Sequence, residues 1–226
     1  MKIHYFGHST FALSDKEHAI IIDPFIKGNP HMQGRSLPAD LHFSHILLTH
    51  GHSDHAGDCE SLAKNHGAVI VANFELAALL AQKGLKTHAC ALGGKLEFPW
   101  GWARQVPAIH SSSYNGQYAG VAVGYVINIG GFTIYHAGDT CLFGDMALIG
   151  RRYKIDAALM PIGGNFTMDI EEAVEAVAML KPKYVVPMHY NTMPIMRLDP
   201  QEFKSQAEAA SQAQVRIMQA GDIWEL

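Results

Sequence analysis

The sequence predicts an α/β fold made of two related layers, and three observations carry that reading. Each half opens with short β-rich runs, each half closes with alternating helices and strands, and 48% of the 226 residues are hydrophobic. That is enough chain for one substantial core, so residues 1–226 read as a single domain.

The elements follow in order. KIHYF, STFAL and HAIIID, which ends at Asp23-Pro24, read as strands joined by tight turns. A loop with Gly28, Pro30, Gly34 and Pro38 comes next. From His45, ILLT is a buried-strand pattern running into HGHSDHAGD. ESLAKNHG reads as helix, AVIVAN as strand, and FELAALLAQKG as a helix stopping at Gly84. Between Thr87 and Thr140 no good helix is found. KLEFPW, ARQVPAI, VAVGYVINI and FTIYHAGD are short alternating runs, and Gly130-Gly131 is a hairpin turn. The last third alternates again: helix Met146–Tyr153, strand DAALMPI, helix Ile170–Lys181, strand YVVPMH, helix Gln201–Ala213 and VRIMQ. In Ile170–Lys181 the apolar stripe is Ile170, Ala173, Val174, Val177 and Leu180; Asp169 with Glu172 resembles a capping box.

Charge narrows the function. Lys and Arg number 17 against 21 Asp and Glu, a net of −4, which argues against a nucleic-acid or other polyanion binder. Three widely spaced cysteines form neither a disulfide framework nor a CxxC site, so a reducing compartment fits best. The N-terminus does not read as a secretory signal, and no stretch reaches the roughly 20 apolar residues of a membrane span. A soluble, cytoplasmic protein acting on a small molecule is expected, with a homo-oligomer left open.

Histidine is the unusual component, 14 of 226 residues. The strongest local signal is Thr49-His50-Gly51-His52-Ser53-Asp54-His55, directly after an apolar strand. Packed imidazoles and a carboxylate must be solvated or have partners, and together they suit zinc, manganese or iron. One loop cannot fill two metal spheres. His110, Asp139 and His189, each at or just beyond the end of an apolar strand, are the further candidates, since loops there are free to converge.

HGHSDHAGD, followed in order by His110, Asp139 and His189, resembles the metallo-β-lactamase superfamily. Asp23 in IIIDPF matches its early strand-end aspartate, which supports the metal loop in those relatives. The resemblance implies a four-layer αββα sandwich. It implies one divalent ion on His50, His52 and His110 and a second on Asp54, His55 and His189, with Asp139 bridging. Zinc is the first expectation, and manganese, iron and nickel suit the same donors. Two ions about 3.5–4 Å apart would share a water or hydroxide and polarise a substrate oxygen. Asp54 and Asp139 are thereby the candidate catalytic carboxylates, and the reaction is hydrolysis of a small ester, lactone or phosphodiester.

MKIHYFGHSTFAL, HAGDTCLFGDM and PIGGNFTMD followed by PMHYNT are similar to small metal-dependent hydrolases of that superfamily. That subgroup is in turn similar to ascorbate-6-phosphate lactonase and N-acyl-phosphatidylethanolamine phospholipase D. β-Lactam hydrolysis is disfavoured, because Asp139 stands at the downstream place and Cys141 reads as a small packed thiol. A ribonuclease Z-like phosphodiesterase would need a basic arm, which the sequence lacks. A non-catalytic metal-binding sensor is the other alternative. His8 in GHST is a candidate for facing metal or substrate. Gly164 and Asn165 are candidates for an oxyanion site. Tyr190, Asn191 and Thr192 are candidate pocket lining, and His136 a candidate support for Asp139. His31, His42 and His45 read as surface residues of the long loop. Met188, Met193 and Met196 read as core or pocket wall.

Overall fold

The computed structural model describes all 226 residues. The chain begins with three short antiparallel strands, β1 (Lys2–Tyr5), β2 (Phe11–Ser14) and β3 (Ala19–Ile22). After the Gly/Pro-rich loop come β4 (Phe43–Leu47), the one-turn helix α1 (Ser53–Ala56), α2 (Cys59–His66), β5 (Val69–Asn73), α3 (Phe74–Ala81) and β6 (Thr87–Cys90). The second half repeats that plan. It has β7 (Lys95–Phe98), β8 (Gly101–Pro107), a small hairpin β9 (Ser113–Tyr114) and β10 (Gln117–Tyr118), β11 (Val123–Ile129) and β12 (Phe132–His136). Then follow α4 (Met146–Arg152), β13 (Ala157–Pro161), α5 (Ile170–Leu180), β14 (Tyr184–Met188), α6 (Pro200–Ala210), β15 (Gln214–Val215) and β16 (Ile223–Glu225).

Two seven-stranded mixed sheets result, in the orders β16-β1-β2-β3-β4-β5-β6 and β15-β14-β13-β12-β11-β8-β7. Each runs from antiparallel hairpins into parallel strands, joined by helical crossovers except for β3–β4, which the Gly/Pro-rich loop connects. Strand β3 shows why there are four layers. All of Ala19-Ile20-Ile21-Ile22 is buried, yet alternate residues face different cores. Ile20 and Ile22 pack between the sheets, whereas Ile21 packs with Leu62, Leu76 and Leu80 of α2 and α3. A strand reading apolar at every position is covered on both faces. On the far side, α4, α5 and α6 cover the second sheet through Ile149, Val177 and Phe203. The Asp169 side chain accepts the Glu172 N–H and caps α5, and Lys181 ends that helix in the left-handed region before Pro182.

Several expected elements shift. The last long helix ends at Ala210 and not at Ala213, and of VRIMQ only Val215 joins a strand. His45 does not lie in the long loop; it sits in β4, half-buried, where its Nδ1 accepts the Trp100 indole N–H at 3.1 Å. The C-terminal β16 pairs with β1 in the register Ile3↔Trp224. No helix is long and apolar enough to cross a membrane.

The two sheets are locked together just before the metal-type motif. Tyr125 of β11 is buried, and its hydroxyl donates to the carbonyls of Leu48 at 3.0 Å and Val71 at 3.2 Å while accepting from the Gln105 amide at 3.0 Å. Tyr125→Phe leaves Leu48 O and the Gln105 amide without this partner inside the core. A loss of about 1–3 kcal/mol in urea unfolding of the metal-free protein is expected, with the far-UV spectrum unchanged.

Candidate metal centre

Strands β3 and β4 run parallel and so end at one edge of the first sheet, where Asp23 and the 49–55 motif follow them. Strands β8, β12 and β14 share one direction in the second sheet, and His110, Asp139 and His189 follow their ends. Seven side chains thus meet at one seam. Gly51 allows the approach: a Cβ there would lie 2.8 Å from Ser113 O. Gly138 has φ +64°, and a Cβ there would lie 2.8 Å from Val123 O, so Asp139 can turn inward only after a glycine.

Hydrogen bonds fix which nitrogen each imidazole presents. Asp23 is fully buried; Oδ1 accepts the Thr49 N–H at 2.8 Å, and Oδ2 accepts the Thr49 hydroxyl at 2.6 Å. With its single proton committed, Thr49 Oγ1 must accept from His50 Nδ1 at 3.0 Å. His50 Nε2 is then a bare lone pair, and it faces His52 Nδ1 at 3.0 Å. Asp23 Oδ2 also accepts from His55 Nδ1 at 2.8 Å. His55 Nε2 is left 3.2 Å from Asp139 Oδ1, and neither atom has a hydrogen bond.

His189 Nε2, 3.0 Å from Asp139 Oδ2, is likewise buried and without a hydrogen bond. His50 and His110 bring Nε2 to 4.0 and 3.7 Å from the same oxygen. Asp54 Oδ2 lies 4.0 Å from His55 Nε2 and 3.9 Å from His189 Nε2. The donor atoms group as His50, His52 and His110, as His50, His55 and Asp139, and as His8, Asp54, His55 and His189. Buried lone pairs aimed at one another and at carboxylate oxygens repel unless a proton or a metal ion stands between them. The donor set, imidazole and carboxylate at mutual distances of 3–4 Å, therefore fits divalent ions.

The electrostatics divide the imidazoles into two kinds. Burial pushes His50 well below the ordinary imidazole pKa, and His55 adds to the effect while Asp139 and Asp23 oppose it. Burial also lowers His110, against Asp139. For His55 burial is outweighed by Asp139 and Asp23, which lift it well above its ordinary value. Burial raises Asp139, but His189 and His55 hold it well below the usual carboxylate range. A proton on His55 and a metal ion compete for one electrostatic niche.

Other predicted residues divide. His8 is fully buried at φ 56°; Nε2 lies 3.1 Å from Asp54 Oδ2 and Nδ1 2.8 Å from Thr192 Oγ1. Burial takes its pKa down to about 4, against the pull of Asp54. His136 donates to Ser9 O at 3.0 Å and accepts the Gly138 N–H at 3.1 Å, which anchors the turn that delivers Asp139. The Gly164 N–H is engaged by Met168 O at 3.0 Å, and Asn165 is exposed outside the cleft. Tyr190 is buried, Asn191 is bonded to Leu198, and neither lines the cleft. Met188 and Met196 are core, whereas Met193 lines the cleft. Cys141 is exposed rather than packed, because the turn after Asp139 points it to solvent. His31, half-buried, faces Asn191 O at 3.1 Å, and His42 is exposed. Thr49 is the contributor that sequence reading misses, because its place between Asp23 and His50 exists only in the fold.

A cleft of about 760 Å³ opens over His52, Asp54, His110, Asp139 and His189. Its remaining walls include Glu60, Ser111, Ser113, Tyr114, Asn115, Phe166 and Met193.

This fold and ligand layout define the class. A model of the beta-lactamase superfamily domain matches residues 2–189, and the chain belongs to that superfamily. Within it, the chain stands among the UPF0173 metal-dependent hydrolases. A relative so named from Desulfitobacterium hafniense is 49% identical over 216 residues, covering 90% of this chain and 89% of its own. Another, from Pelotomaculum thermopropionicum, is 45% identical with both chains fully covered. Among solved structures, Igni18, a metallo hydrolase from Ignicoccus hospitalis, matches with a TM-score of 0.90 at 39% identity, covering 100% of this chain and 98% of that one.

Asp23→Asn tests the tautomer network. If the amide oxygen takes one Thr49 donor, the amide nitrogen faces His55 Nδ1 and drives the ring proton to Nε2, where a metal must bind. Zinc affinity should fall roughly 10–100-fold by chelator competition, with the circular dichroism spectrum retained. Wild-type affinity in that variant would refute the network.

Proposed function

We propose that this protein hydrolyses a small ester, lactone or phosphodiester at two divalent ions, zinc first among them. The observation that carries the reading is the set of buried donor atoms His50 Nε2, His55 Nε2 and His189 Nε2 gathered 4.0, 3.2 and 3.0 Å from the Asp139 carboxylate. His50, His52 and His110 would hold one ion and Asp54, His55 and His189 the other, with Asp139 shared. When bound, such a pair lowers the pKa of a water to near neutrality and polarises the substrate oxygen.

The chain's own groups do the rest. Thr49 and Asp23 keep the His50 and His55 rings from rotating. Asp54 is the one acidic ligand with part of its side chain open to the cleft, 21% exposed against 3% for Asp139. It is therefore placed to accept a proton from the attacking water and return it to the leaving oxygen. Burial works against its ionisation, but His8 and His55 hold its pKa far below the ordinary carboxylate value, so it stands ionised and free of a proton before the water approaches. His8, neutral at working pH, donates Nε2–H to Asp54 Oδ2 while Thr192 donates to Nδ1, which orients the carboxylate.

A panel of esters, lactones and phosphodiesters, assayed with protein of measured metal content, tests the proposal. At least one member should be cleaved, and His50→Ala or Asp139→Ala should lower kcat/KM by at least about a hundredfold, the upper end of what loss of a metal ligand's supporting partner costs. Wild-type rates in both variants would overturn the site assignment.

A further inference from the structure

The cleft over the metal centre has two unlike walls, and strand order explains them. In the second sheet β13 and β14 lie on one side of β12, whereas β11 and β8 lie on the other. The loops after β13 and β14 deliver Phe166 and Met193, and the segment after β8 delivers Ser111, Ser113 and Asn115. The apolar wall thus adjoins His189 and the polar wall adjoins His110. Phe166 is 49% exposed and Met193 37% exposed. Two large apolar side chains left open in the cleft that His110, Asp139 and His189 also line are surface that a bound molecule can remove from water.

Charge points the same way. No lysine or arginine lines the cleft. Lys83 touches two lining residues, but its ammonium is held 2.5 Å from Glu60 Oε1 and 5.0 Å over the Tyr114 ring. Glu60 itself lines the cleft, and Tyr114 donates its hydroxyl to it at 2.5 Å. Beyond the metal ions, a phosphate or carboxylate on a substrate's tail would meet no cation and would approach Glu60 and Asp54. An alkyl tail meets no such penalty.

We infer that the substrate is an ester or lactone whose uncharged apolar tail lies on Phe166 and Met193, with its polar portion toward Ser111, Ser113 and Asn115. The inference rests on the hydrolase reading above, and it separates an apolar acyl substrate from phosphorylated or carboxylated ones.

Uncleaved analogues make the test independent of turnover. Two lactams with the same ring, one bearing a hexyl tail and one a tail of equal length ending in carboxylate, are titrated calorimetrically into the zinc-loaded full chain. The hexyl compound should bind at least about tenfold tighter. In the Phe166→Ala/Met193→Ala double variant that preference should fall to within about threefold, and Phe166→Arg should favour the carboxylate. Equal or tighter wild-type binding of the carboxylate compound, or an undiminished preference in the double variant, overturns the inference. Failure of the loaded protein to cleave the corresponding esters or lactones would instead count against the hydrolase reading, and leaves the lactam result to decide the pocket.

Discussion

Asp23 has no exposed surface, yet its carboxylate accepts three hydrogen bonds, two from Thr49 and one from His55. An ionised carboxylate this deep costs several kcal/mol without such partners. Its φ of 45° adds strain of about 1–3 kcal/mol. The strained backbone is held by Thr10, whose hydroxyl donates to Asp23 O at 2.7 Å and accepts the Phe25 N–H at 3.0 Å. What this arrangement accomplishes is electronic. Through Thr49 it decides the His50 tautomer and directly it decides that of His55, so one carboxylate sets a lone pair in each half of the ligand cluster.

The wider fold serves that convergence. One sheet contributes the candidate ligands after β4 and the other those after β8, β12 and β14, so neither half of the chain contains the whole cluster. The relative position of the two sheets then matters, and buried polar ties between them supply it. Tyr125 reaches from the second sheet to Leu48 O at the mouth of the motif, and His136 reaches Ser9 O in the β1–β2 turn of the first half. His189 N–H donates to His8 O at 3.0 Å, which joins the two residues flanking Asp54 and the second ligand group. Three of the left-handed residues, His8, Asp23 and His189, sit at this seam, where surrounding hydrogen bonds over-determine strained backbone.

Much of this was legible beforehand because it lives in short-range pattern. An apolar strand followed by HGHSDH, and histidines or aspartate just past later strand ends, are visible without knowing the pairing. The mirrored halves were legible for the same reason: hairpin runs and helix–strand alternation recur twice. What escaped depends on contacts far apart in sequence. β16 is three residues long and exists as a strand because β1 accepts it. The β9–β10 hairpin lies in a Ser-rich stretch without apolar alternation, and α1 is a single turn, too short to show a helical period. Cys141 looked like a packed thiol from its type alone, but the turn that aims Asp139 inward sends it outward. Thr49 was invisible as a functional residue because a threonine's role depends on which proton it has left to give.

The central claim is that two divalent ions occupy the lone pairs this network fixes. Anomalous diffraction at the metal edge, on crystals of the loaded protein, tests it most directly. The account predicts two peaks about 3.5–4 Å apart. One should lie within bonding distance of His50, His52 and His110, the other of Asp54, His55 and His189, and both of Asp139. A single peak, or density elsewhere on the chain with these side chains unmoved, would contradict it.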